Sequence, residues 1–173
     1  YDQYRERAPD RMFEEGETFP YQGEDYMLHV HDVTEHEISD GEIILARHAV
    51  KGSSIRDELE ALFRDQARTL FEELVADHAD EMSVSYEGLA VRNQRTRWGS
   101  CSPKQNLSFN WRLIMAPPEI AEYVVVHELA HLRETNHTKR FWWIIRDQLP
   151  DYRERANWLE EHVIELIFTD EDI

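Results

Sequence analysis

The alternation of apolar and polar positions divides the chain into a strand-rich beginning and a helix-rich remainder. Thr18 to Val33, TFPYQGEDYMLHVHDV, alternates around Gln22-Gly23 and reads as a β-hairpin. Asp40-Gly41 then separates HEIS from EIILARH, a second hairpin, because a two-residue turn needs positive φ at both central positions. Ser53-Ser54 can cap a helix that carries Asp57 and Glu58 in its first turn. Ile55, Leu59, Leu62, Phe63, Leu70, Phe71, Leu74 and Val75 recur at helical spacing, so that helix should run to about Ala79. Leu89 to Arg95 reads as a strand, Arg95 to Asn106 as a tight region holding Gly99 and Pro103, and Leu107 to Met115, LSFNWRLIM, as a second strand. Pro117-Pro118 stops that strand and suits the first turn of a helix that continues through IAEYVVVHELAHL. A break near Thr135-Asn136, a short helix over Thr138 to Leu149, a third helix after Pro150 and a frayed acidic tail, TDEDI, complete the pattern.

Strands, a long helix, strands and then helices make an α+β order rather than alternating βαβ units. The expected architecture is a small antiparallel or mixed sheet packed against the long helix and the helix carrying HELAH, with further helices at the C-terminal end. Residues 1–52 form a β-rich segment and 53–173 the core, together one compact domain, with no internal repeat or low-complexity linker.

The chemistry concentrates in HELAHLRETNH, residues 127 to 137. His127 and His131 are four residues apart, on one face of a helix and about 6 Å apart along its axis. Two imidazoles so placed can chelate a Zn²⁺ at about 2.0 to 2.1 Å each. Glu128 lies to one side of that face, where it can take a proton from a water that the metal acidifies without itself ligating the metal. A catalytic zinc uses a third protein ligand, and His137 is the nearest candidate; Glu160, Glu161 and Glu165 are the alternatives on a later helix. The metzincin pattern HExxHxxGxxH has the same histidine spacing, but Glu134 stands where its turn glycine would be. The helix is therefore expected to persist through Glu134 and to bend at Asn136, which tolerates left-handed backbone angles. Glu134 would then be a surface acid or a partner of a ligand histidine.

Arg97, Trp98, Gly99, Ser100 and Cys101 could wall a cleft, with Arg97 or Ser100 meeting the substrate; the competing reading is a packed turn with a buried Trp98 and Gly99 at positive φ. Cys101 is the only cysteine, which rules out an internal disulfide and is a poor metal signal by itself. Leu107 to Leu113 could be an edge strand that pairs with an extended peptide, pointing Asn110 or Arg112 at the cleft. Phe141, Trp142 and Trp143 read as core, His29 and His31 as a surface pair, and His36, His48, His78 and His162 as isolated and solvated. Arg97, Tyr123 and Tyr152 are candidates for stabilising an oxyanion.

Composition narrows the setting. The net charge is −17, from 36 acidic against 19 basic residues, and Lys51, Lys104 and Lys139 are the only lysines. That balance points to a high-salt cytoplasm, where mutual repulsion of carboxylates is screened. Net charge then says little for or against nucleic acid. No apolar run approaches the roughly 18 residues of a membrane span, and the polar first residues, YDQYRERAPD, are no signal peptide.

Arg92 to Trp142 as a whole resembles the YgjP-like metallopeptidase family. RWGSCS, the NWRLI strand, the APPE turn, VVHELAHL and NHxxxFW follow in the family's order, with a weaker likeness back through the long helix and GETFPYQGEDYML and forward to the last helix. The family is similar to the SprT and WLM groups, which include DNA–protein crosslink proteases. The resemblance implies a zincin fold, His127, His131 and His137 on zinc, Glu128 as general base, and sequence preceding Tyr1, of which YDQYRER would be a remnant helix. The function expected is a zinc-dependent endopeptidase acting on peptide or protein. Two rivals stand beside it: a pyrophosphatase acting on UTP, as one relative is described, and a binding module for DNA-bound protein with weak proteolysis. The nucleotide reading would recruit Arg92, Arg95, Arg97 and Arg112, without a glycine-rich phosphate loop to support it. Oligomeric state is not legible.

Overall fold

The computed structural model describes residues 9–94 and 97–168. Both expected hairpins form. β1 (Thr18–Tyr21) and β2 (Glu24–His31) pair antiparallel through Gln22 and Gly23, with φ of 49° and 83°. β3 (Glu37–Ser39) and β4 (Glu42–Ala46) pair antiparallel through Asp40 and Gly41, with φ of 48° and 78°. Positive φ at both turn residues matches the right-handed twist of the flanking strands. The hairpins join through a parallel β2–β4 ladder, giving a mixed sheet in the order β1-β2-β4-β3. A short helix, α1 (Arg47–Lys51), which the pattern did not foretell, leads out of it.

α2 (Ile55–Met82) begins as expected at Ser54, whose side chain accepts from the Asp57 N–H at 3.1 Å. It runs three residues past Ala79 and ends at Ser83, in the left-handed region at φ 55°. Leu59, Phe63, Ala67, Phe71 and Val75 make its buried stripe.

A second mixed sheet contains β5 (Gly88–Arg92), β6 (Gly99–Cys101) and β7 (Asn106–Asn110) in the order β5-β7-β6. Two expectations change here. The supposed edge strand β7 is the central one, parallel to β5 and antiparallel to β6. It also stops at Asn110, and Trp111–Met115 is a 3-10 turn in which all five residues are buried. Asn110 makes the switch: its Oδ1 accepts from the Arg112 N–H at 3.1 Å, so it caps the turn as an asparagine caps a helix.

α3 (Pro118–Ala130) carries HELAH and starts on Pro118. α4 (Lys139–Gln148) is capped by the Thr138 hydroxyl, α5 (Tyr152–Glu161) follows, and a 3-10 turn (Val163–Leu166) leads to Phe168. Phe168 packs edge-on to Trp111 and Phe13, so the end of the described chain meets its beginning. One hydrophobic core runs through both sheets and α2 to α5. The architecture is α+β, with two small mixed sheets where one was expected. No helix among the described residues is long and apolar enough to cross a membrane.

Several histidines expected in solvent are instead engaged. His78 is 8% exposed and joins three helices, with Nε2 3.0 Å from Glu122 on α3 and Nδ1 2.9 Å from Gln148 on α4. His36 accepts from the Ala46 N–H and His162 stacks on Trp158 at 4.1 Å, while His48 is exposed as expected, its Nε2 3.0 Å from the Thr34 carbonyl. His29 and His31 form the expected pair on one face of β2, their rings 5.6 Å apart. Phe141 is core as expected, but Trp142 is only half-buried and Trp143 is 59% exposed.

Candidate metal centre

Four residues of α3 and the loop after it build the centre. α3 is apolar on nearly every side: Val124, Val125, Val126, Leu129 and Ala130 are all buried, which fixes its rotation. His127 and His131 then stand one turn apart, their ring centres separated by 5.2 Å. His137 returns to them, at 5.6 Å from His127 and 4.9 Å from His131.

The return differs from expectation. α3 does not persist through Glu134; it ends at Ala130 with His131 as its C-cap, and Arg133 and Glu134 both donate to the Ala130 carbonyl in a closing turn. The chain bends through Thr135-Asn136 without positive φ at Asn136, and Thr138 donates to the Asn136 carbonyl at 2.8 Å. Ending the helix one turn earlier gives the loop enough length to reach His137 with neither a glycine nor a left-handed residue. The Glu134 backbone hydrogen-bonds the His131 ring.

One nitrogen from each of His127, His131 and His137 can be chosen so that all lie within 4.8 Å of one another. A tetrahedral ion with bonds near 2.1 Å draws such atoms to about 3.4 Å, a small side-chain closure. The donor set suits a borderline-soft divalent ion. Ligation needs neutral imidazoles, and His131 meets that: burial depresses its pKa, Glu128 opposes, and the neighbouring His127 and His137 lower it further. Among the described residues this is the one His/Cys/Asp/Glu group with such spacing, so His29 and His31 make no second one.

Glu128 is 6% exposed, with Oε1 2.9 Å from His127 Nδ1. Gly99 decides where that carboxylate sits. A Cβ built there would lie 3.0 Å from Glu128 Cγ, 3.0 Å from Val124 Cγ1 and 3.3 Å from Phe109 Cδ1. Gly99 is absent from the positive-φ residues. Its role is close approach of β6 to α3, not the turn conformation expected for it.

An open cleft of about 500 Å³ is lined by Arg97, Gly99 to Pro103, His127, Glu128, His131, Thr135 and His137. It brings Arg97 and Ser100 to the three histidines and excludes Asn110 and Arg112. Asn110 is fully buried and its Nδ2 donates to the carbonyls of Gln94, 2.8 Å, and Arg97, 3.2 Å. Arg112 is 3% exposed, donates to the carbonyls of Gln94 and Leu166, and lies 4.9 Å from the Trp98 ring centre. Both anchor the segment leading into β6 from below. Of the oxyanion candidates only Arg97 lines the cleft; Tyr123 and Tyr152 line a neighbouring groove. Burial, and then the Glu128 carboxylate, raise the Cys101 pKa, and this cleft-wall thiol is not part of the three-histidine group. Glu160, Glu161 and Glu165 are exposed and line no part of the cleft.

A family model described as YgjP-like, metallopeptidase domain, matches residues 1–162. Among solved structures the chain is similar to the metallopeptidase zymogen abylysin of Pyrococcus abyssi, at 21% identity and a TM-score of 0.47, over 54% of this chain and 91% of that one. No protein of curated function matches.

Proposed function

We propose that this chain, which belongs to the YgjP-like metallopeptidase family, is a zinc-dependent endopeptidase in which His127, His131 and His137 hold the ion and Glu128 is the general base. The observation that carries the reading is the convergence of three histidines and a nearly buried carboxylate on one open cleft. When bound, the zinc supplies Lewis acidity to the scissile carbonyl and to water beside it. Glu128, fixed between Gly99 and His127, takes a proton from that water and returns it to the leaving amine.

β6 ends its sheet, and its residues Gly99 to Cys101 form one wall of the cleft. Its free edge offers backbone donors and acceptors to an extended peptide, which supports strand addition at β6 in place of β7. Arg97, exposed on the same wall, is the cation available to a developing oxyanion or a substrate carboxylate.

The nucleotide alternative needs a cationic lining beside the metal. Arg97 is the one described arginine in the cleft; Arg112 is buried beneath it, Arg92 is not part of its wall and Arg95 lies outside the described residues. The geometry therefore favours peptide over triphosphate. The test is wild type against Glu128→Gln, both zinc-loaded, with a peptide library and with nucleoside triphosphates, at low salt and in molar KCl. Glu128→Gln should keep zinc and lose peptide turnover. Equal cleavage by the two, or hydrolysis of triphosphates alone, would overturn the proposal.

A further inference from the structure

Behind the metal centre lies a second groove, between α4 and α5, of about 650 Å³. α4 contributes Lys139, Trp142, Trp143 and Arg146, one stripe at helical spacing, and α5 contributes Tyr152 and Arg153 across from it. The opposite face of α4, Phe141, Ile144 and Ile145, is buried, so the stripe is turned outward by the core packing itself.

Three properties set this groove apart. The chain carries 36 acidic residues, yet among the described residues no aspartate or glutamate lines it, while three of the 19 cations do. Arg153 is held over the Tyr152 ring and donates to its hydroxyl at 3.2 Å, whereas Lys139 and Arg146 make no ion pair with a described carboxylate. Trp142 stacks on Tyr152 at 5.8 Å, and Trp143 stands exposed beside them. Cations without counter-charges next to an exposed indole are a combination that ligand carboxylates and apolar groups complement.

The groove also touches the metal centre. Trp142 lies 6.0 Å from both His127 and His137, and Tyr123, which lines the groove, lies 6.0 Å from His127. Trp142 and Tyr123 thus line the groove and neighbour the histidine rings of the cleft.

We propose that the α4–α5 groove is a substrate subsite that takes an acidic peptide segment, its aspartate or glutamate side chains meeting Lys139, Arg146 and Arg153 while its apolar groups lie on Trp142 and Trp143. This rests on the peptidase reading for its place in the reaction. A short acidic segment fits better than a nucleic acid. A polyanion extends far past the three cations of the groove, whereas a few local carboxylates are matched by them.

The test separates binding from turnover. Zinc-loaded Glu128→Gln protein is titrated with a fluorescein-labelled peptide containing a run of Asp and Glu, with the same peptide carrying Asn and Gln, and with oligo-dT of similar charge, at about 0.15 M salt. The acidic peptide should bind about tenfold more tightly than its amide counterpart, the size expected of a few exposed charge pairs. Arg146→Gln and Arg153→Gln, both at exposed positions, should together abolish that difference without changing thermal stability or zinc content. Equal affinity for acid and amide peptides, no effect of the paired substitutions, or tighter binding of oligo-dT would each overturn the subsite. Cleavage by the wild type of the same peptides is read in parallel. No cleavage with acid-selective binding retained refutes the peptidase reading and leaves the groove an acidic-peptide site; cleavage indifferent to charge refutes the subsite and leaves the peptidase.

Discussion

Gly99→Ala tests the link between β6 and the Glu128 carboxylate. The new methyl would sit 3.0 Å from both Glu128 Cγ and Val124 Cγ1, against an ordinary contact of about 3.5 to 4.0 Å between carbons. Val124 is a β-branched residue inside α3 with little χ1 freedom, and Phe109 closes the third side at 3.3 Å. Relief must therefore come from Glu128 changing rotamer or from β6 lifting off α3. Overpacking of this kind costs about 1–3 kcal/mol, a drop in Tm of roughly 2–12 °C for a chain this size. If Glu128 moves by about 1 Å, its 2.9 Å contact with His127 is lost and kcat/KM falls by about 10²-fold. Gly88→Ala is the control: its Cβ would meet Asn106 Oδ1 at 2.9 Å, but that is the far end of an exposed side chain that can swing away. Thermal unfolding, zinc content and peptide kcat/KM are measured for both variants. Wild-type stability and activity in Gly99→Ala would refute the close-approach argument. Lost stability with full activity would show that β6, not Glu128, gives way.

Other consequences are as specific. Glu122 is half-buried, which raises its pKa, but hydrogen bonds from Arg155 and His78 and their charges outweigh burial and hold it below the ordinary 4.5. A depressed carboxylate contributes stability above its unfolded-state pKa and loses it as pH falls through the folded value, so urea midpoints should decline below about pH 4.5 more steeply in wild type than in Glu122→Gln. Arg112→Leu removes the donor to the Leu166 carbonyl and one of the two donors to the Gln94 carbonyl, which keeps Asn110, and should cost about 1–3 kcal/mol in urea unfolding; a neutral result would remove Arg112 from the support of β6. Chelation should abolish peptide cleavage and zinc should restore it, while His137→Ala should weaken zinc binding by at least about 100-fold in competition with a chromophoric chelator. Unchanged affinity would send the third ligand elsewhere.

What was legible in the sequence was carried by neighbours in the chain. Asp40-Gly41 and Gln22-Gly23 announce hairpins because their backbone angles are a local property. Ser54 announces α2 because its cap bond spans three residues. His127 and His131 announce a metal face because the helix repeat alone brings them together. Apolar periodicity located α2 to within three residues of its end but misread LSFNWRLIM, since a fully buried strand and a fully buried 3-10 turn have the same apolar run. The remainder depended on partners far along the chain. Asn110 and Arg112 look like cleft residues until the packing of Gln94, Arg97 and Leu166 around them turns both inward. Gly99 looks like a turn residue until α3 is laid against it, 29 positions later at Glu128. Trp142 and Trp143 follow a core residue in sequence, and only the burial of Phe141, Ile144 and Ile145 leaves them facing an outer groove. The sequence by itself thus determined the hairpin turns, the cap of α2 and the shared face of His127 and His131, because each is set within a few residues of chain. Tertiary structure decided which side chains share the cleft with them, because that depends on long-range packing that no local pattern encodes.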